Sequence, residues 1–126
     1  MKKQTKILIP ILILIVLCIA AVVVEAQTKM IRHAMDDYIY DNKNHYLPCE
    51  QLPDEGKVLQ IVAAHQDVIE SIEAVNPGFV GIEIDTSCPG KADIIFWYGT
   101  HANRLAIEEI INAESFFGVP YRLQNW

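Results

Sequence analysis

Eighteen consecutive residues, Ile7 to Val24, carry no charge, and no other feature of the chain restricts its folding so strongly. As an α-helix they rise about 27 Å, close to the hydrocarbon thickness of a bilayer. Pro10 falls in the opening turns, where it disturbs a helix least. Lys2, Lys3 and Lys6 precede the run, which predicts a cytoplasmic N-terminus and a single pass that places the remainder across the membrane.

Two uses of this segment compete. As a secretory signal it has a basic start, an apolar stretch and a small-residue cleavage site, Val24-Glu25-Ala26, that would release a secreted factor. As an anchor it is longer than a signal core, and the pattern beyond it favours retention. Met30, Ile31, Ala34, Met35, Tyr38 and Ile39 recur at helical spacing, so an amphipathic helix is expected to leave the membrane directly. Either use places the rest outside the cytoplasm. The expected organisation is therefore a membrane anchor or uncleaved signal over 1–27, a juxtamembrane helix and connector over 28–52, and an extracytoplasmic domain over 53–126.

Cysteine usage fits that placement. Cys18 lies inside the apolar run without the small preceding residues of a lipidation site. Cys49 and Cys88 lie beyond it, where an oxidising compartment would join them. A bond closing that loop contributes about 4 kcal/mol in the chain-entropy model. Charge narrows the partners. Setting aside Lys2, Lys3, Lys6 and Glu25 leaves 7 basic against 15 acidic residues, a net −8 for residues 28–126. Such a domain is repelled by nucleic acid and by anionic lipid.

Residues 41–53, DNKNHYLPCEQLP, are rich in turn formers and read as a connector. Asp54 is a suitable N-cap for a long helix, because Val58, Ile61, Val62, His65, Val68, Ile69, Ile72 and Val75 keep helical spacing over about five turns. Asn76-Pro77-Gly78 should end it, with Asn76 available as a left-handed cap. Val80, Ile82 and Ile84 then alternate with Gly81, Glu83 and Asp85, the pattern of a strand with one dry face. A turn over 86–91 leads to a second strand, Ala92 to Tyr98. Thr100 can cap a second helix that runs inward on its isoleucines and breaks at Gly118, and a short strand over 119–124 closes the chain.

The expected fold class is thus α+β. An N-terminal transmembrane helix precedes a small two-layer domain of order α-β-β-α-β, a three-stranded sheet with two helices on one face. Its second and third strands should be parallel. The order resembles a ferredoxin-like arrangement lacking its first strand, a topological likeness that implies no function.

One stretch breaks the alternation. In KADIIFWYGTH, residues 91–101, five apolar or aromatic residues from Ile94 to Tyr98 run without interruption. If Ile94, Phe96 and Tyr98 face the helices, parity puts Asp93, Ile95 and Trp97 on the other side. Glu83 and Asp85 join them from the first strand, and Arg122 and Gln124 from the third. That face is mixed, with one aromatic centre. It can be covered by residues 28–52 of the same chain, by a second copy, by another protein or by a ligand.

Catalytic signals are sparse. His33, His45, His65 and His101 share no metal-ligand spacing, and Ser71, Ser87 and Ser115 lie in no nucleophile motif. No glycine-rich phosphate loop, C-x-x-C pair or other cofactor motif occurs. The leading expectation is a membrane-tethered binding domain that meets a protein partner or its own copy through the Trp97 face. The alternative is a small metal-binding or hydrolytic domain using the acidic sheet face with His65 or His101.

Overall fold

The computed structural model describes residues 2–126, with side chains from Ile7 onward. Met1, which opens the expected 1–27 segment, and the side chains of Lys2, Lys3 and Lys6, on which the orientation argument rests, lie outside the described residues. The chain divides into two compact units, one ending at Met35 and one spanning Asp36–Trp126.

In the first unit, α1 runs from Lys2 to Thr28 with Pro10 inside it. Its Ile7–Thr28 portion is long and apolar enough to cross a membrane. Lys29 takes a positive φ of 51° and interrupts the helix. A second helix, α2, follows over Met30–Met35. The Glu25 carboxylate closes the break by accepting the backbone N–H groups of Ile31, at 2.7 Å, and Arg32, at 3.2 Å. An acidic side chain at a helix start satisfies otherwise unpaired amides and suits the dipole.

The second unit begins with a π-helical turn, Asp36–Tyr40, so the amphipathic helix expected over 28–40 is realised as two short pieces. Residues 41–48 carry no regular element beyond a bridge at Lys43 and lead to a 3-10 turn at Cys49–Gln51. Helices α3, Glu55–Ala64, and α4, Gln66–Glu73, come next. Strands β1, Gly81–Asp85, and β2, Asp93–Tyr98, precede helix α5, His101–Ile111, and strand β3, Tyr121–Asn125.

The single long helix expected after Asp54 is two helices. His65 leaves helical geometry at φ −122° and ψ 36°, although neither proline nor glycine marks the place. Its imidazole stacks on Phe117 at 3.5 Å between ring centres and meets Phe116 edge-on at 6.2 Å. The break redirects α4, so that Val58 on α3 and Ile69 and Ile72 on α4 all enter one core. Asp54 stands at the N-cap, but its carboxylate pairs with Lys91 at 2.8 Å rather than with the helix. Asn76 is not the left-handed cap; Gly78 takes the positive φ, 83°, and Asn76 bonds to Asn103.

The sheet order is β1-β2-β3. β2 is central, antiparallel to β1 and parallel to β3, with α5 in the crossover. Ile94, Phe96 and Tyr98 of β2 are fully buried in the core with Tyr121 and Leu123 of β3 and Ile107 of α5. Burying each large apolar side chain stabilises by about 1.5–3 kcal/mol. Helix α5 ends at Ile111, short of Gly118, because Asn112 adopts the left-handed cap at φ 47°. Ile110, within the helix, is exposed and not inward.

Candidate functional site

Strand pairing settles which residues share the second face of the sheet. Glu83 lies opposite Ile95 and Asp85 opposite Asp93 across β1 and β2. Ile95 lies beside Arg122 and Trp97 beside Gln124 across β2 and β3. All seven residues singled out in the sequence thus occupy one face, yet they split into a closed half and an open half.

The closed half centres on Asp93, whose side chain is only 1 % exposed. Arg122 reaches it through Nε at 2.6 Å and Nη2 at 2.9 Å, and the same guanidinium holds Asp85. His45 Nε2 lies 2.6 Å from Asp93 Oδ2, the same oxygen that accepts from Arg122 Nε. The backbone N–H of Leu47 donates to His45 Nδ1 at 3.0 Å, which fixes the tautomer with the proton on Nε2. Burial pushes Asp93 upward, but the His45 and Arg122 hydrogen bonds and the Arg122 charge outweigh it and hold the carboxyl below its ordinary value. The Ser87 hydroxyl and amide, helped by Arg122, keep Asp85 low as well.

His45 answers what covers the continuous strand. Lys43 pairs with the outer edge of β3 through N–H to Leu123 O at 2.8 Å and the reciprocal bond at 2.9 Å. Two residues later His45 is on Asp93 of β2, and Cys49 is bonded to Cys88 beyond β1, with Cα atoms 5.5 Å apart. The connector therefore crosses the sheet as a strap, stitched at both edges and in the middle. Ile95, beside this crossing, is 5 % exposed and unavailable to a partner.

The open half is aromatic. Trp97 is half-buried, stacks on Trp126 with ring centres 5.5 Å apart, and donates from Nε1 to Glu83 at 2.8 Å. Trp126 is 75 % exposed and donates from its own Nε1 to the carbonyl of Phe79, which is 62 % exposed. Gln124 is half-buried beside them and Glu83 is exposed. Trp126 was absent from the expected face, although the parity of Arg122 and Gln124 extends to it. His45 carried no such signal, since residues 41–53 have no period.

Two further clusters involve the remaining candidates. Buried Arg104 on α5 pairs with Asp37, with Asp41 at 3.0 Å and with Glu108 at 3.6 Å, while His101 Nδ1 shares Asp41 at 2.7 Å. The cluster ties residues 37–41 to α5. Burial, reinforced by Asp41, raises Tyr98 well above its ordinary value, so its hydroxyl stays protonated. A shallow cavity of about 360 Å³ is lined by Lys43, Glu108, Asn112, Ala113, Glu114 and Tyr121. Burial lowers the Lys43 ammonium, but Tyr121, Glu114 and Glu108 more than offset it and hold it charged. Among the described residues no three His, Cys, Asp or Glu side chains gather in a way that could hold a metal ion. His65 packs on phenylalanines and His101 pairs with Asp41, so the two histidines have different partners.

Comparison of the chain with protein-family models, curated proteins and solved structures finds no match.

Proposed function

We propose that this protein is a membrane-tethered interaction module. In this reading residues 7–24 span the bilayer once with the N-terminus in the cytoplasm. The two-layer α+β domain stands outside and contacts another protein through the open half of its second sheet face. The Trp97–Trp126 stack carries the reading. Two adjacent indoles, one of them mostly exposed and rimmed by Glu83 and Gln124, match the aromatic anchors that dominate binding energy at interfaces. The strap and the Asp93–Arg122 network hold the platform rigid, which limits the ordering entropy lost on binding.

Three observations support the placement. The α1 segment has the length and composition of a span. The Cys49–Cys88 bond belongs to an oxidising compartment. Cleavage after Ala26 would remove the Glu25 carboxylate that caps α2, which favours a retained anchor over a released factor.

A photoreactive residue introduced at Gln124 in the full-length chain, expressed in intact cells, tests the contact. A cross-linked adduct is expected, and Trp97→Ala should abolish it while costing clearly less stability than the about 3–5 kcal/mol of a truncated core aromatic. An adduct undiminished by the substitution, or a core-sized loss of stability, overturns the reading. An adduct at twice the chain mass would make the partner a second copy.

A further inference from the structure

The two outer edges of the sheet are treated differently. On β3, Lys43 pairs with Leu123 and the Asn42 side chain accepts the Asn125 N–H at 2.8 Å. On β1, among the described residues, no backbone group pairs with Gly81–Asp85 from the outer side. An open edge presents a row of unsatisfied N–H and C=O groups, and proteins normally block such an edge unless a strand is meant to add there.

The side chains along this edge specify what would add. Gly81 lies opposite Trp97, and a Cβ built on it meets no atom within 4 Å. Gly81 therefore leaves open space on the face that carries Trp97, whose Nε1 reaches Glu83 of β1. An aliphatic side chain beside Gly81 would fill it. Two residues along, Glu83 is exposed, and its carboxylate has no cation partner among the described residues, whereas Asp85 is already neutralised by Arg122. On the core side Ile82 and Ile84 are only partly buried and would accept aliphatic neighbours.

We infer that β1 is a docking edge for an extended segment of a partner protein, with a lysine or arginine opposite Glu83 between aliphatic residues. This rests on the protein-contact reading above and names the chemistry of the partner. A second copy fits poorly. The antiparallel register that overlaps the whole of Gly81–Asp85 with itself sets Glu83 opposite Glu83, and like charges directly opposed are destabilising. The net −8 of residues 28–126 adds repulsion between copies.

The test uses the full-length chain in neutral detergent micelles and three short synthetic peptides, read by tryptophan fluorescence. One places lysine between valines, one places glutamate there, and one is the lysine peptide N-methylated at alternate amides. The lysine peptide should bind roughly tenfold more tightly than the glutamate peptide. Glu83→Lys should reverse that preference, and N-methylation should abolish binding because it removes the ladder donors. No saturable binding of the lysine peptide, equal binding of its N-methylated form, or an unaltered preference in Glu83→Lys overturns the proposal. Self-cross-linking of Glu83→Cys chains would assign the edge to a second copy instead. Failure here with a Trp97-dependent adduct intact removes the edge proposal alone. The converse result, peptide binding with an adduct indifferent to Trp97→Ala, removes the sheet-face reading alone.

Discussion

Asp93 shows how one residue can be misread by type and still be placed by parity. A carboxylate on an open sheet face suggests solvent or a cation, whereas here Arg122 and His45 fill its bonding positions and it is buried. Losing the Asp93 charge weakens its buried contacts with His45 and Arg122, at about 1–3 kcal/mol, while Asp85 still pairs with Arg122. Asp93→Asn should therefore destabilise by that order, measured by denaturant unfolding of the full chain in detergent. The pH dependence follows from the same contacts. The folded carboxyl sits below its ordinary value of 3.8, so its stabilisation is complete above that value and fades as pH falls through the lower folded one. Unfolding free energy should hold steady above about pH 5 and drop on acidification below the ordinary carboxylate range. Asp93→Asn should flatten that drop, and an unchanged acid limb would show that other carboxylates govern it.

Among the elements, α5 begins at its expected cap but ends at Asn112 rather than Gly118, and the α3–α4 pair departs further from its local pattern. Thr100 caps α5 by accepting the Asn103 N–H at 3.2 Å, and Asn112 ends it in the left-handed region. Thr100→Ala should cost about 1 kcal/mol, whereas Thr100→Ser should be close to neutral. Equal losses from both, in thermal or denaturant unfolding, would mean that the hydroxyl bond contributes nothing. The break at His65 has no comparable local cause. Its imidazole lies on Phe117, distant in sequence, and the two helices beside it contribute Val58, Ile69 and Ile72 to one core. Packing of this kind overrides helix propensity, which differs by only a few tenths of a kcal/mol among such residues.

At the scale of the whole molecule, the second unit is a small core held by one covalent staple. The Cys49–Cys88 loop spans 39 residues, and closing it removes about 4 kcal/mol of unfolded-state entropy in the chain-entropy model. Reduction should lower stability by that order. In denatured but unreduced protein, only Cys18 should react with a maleimide. The same bond reports on placement. Protease added to spheroplasts should remove the folded domain, and full protection together with freely labelled Cys49 and Cys88 would put it in the cytoplasm.

What the sequence determined by itself was set by local geometry. An uncharged run long enough to span a bilayer needs no tertiary contact to be recognised, and strand parity alone puts Ile94, Phe96 and Tyr98 opposite to Trp97 and Arg122. Thr100 belongs to the same class, because an N-cap bonds within its own turn, whereas the end of α5 at Asn112 came six residues before the expected break at Gly118. Tertiary structure decided the rest. The strap is written in residues 41–53 without any period, and His45 finds Asp93 across 48 positions of chain. Whether the second sheet face was dry, wet or open therefore depended on a contact between distant residues. The pairing of Lys43 with β3 and the Cys49–Cys88 bond flank that contact, and no local pattern records it.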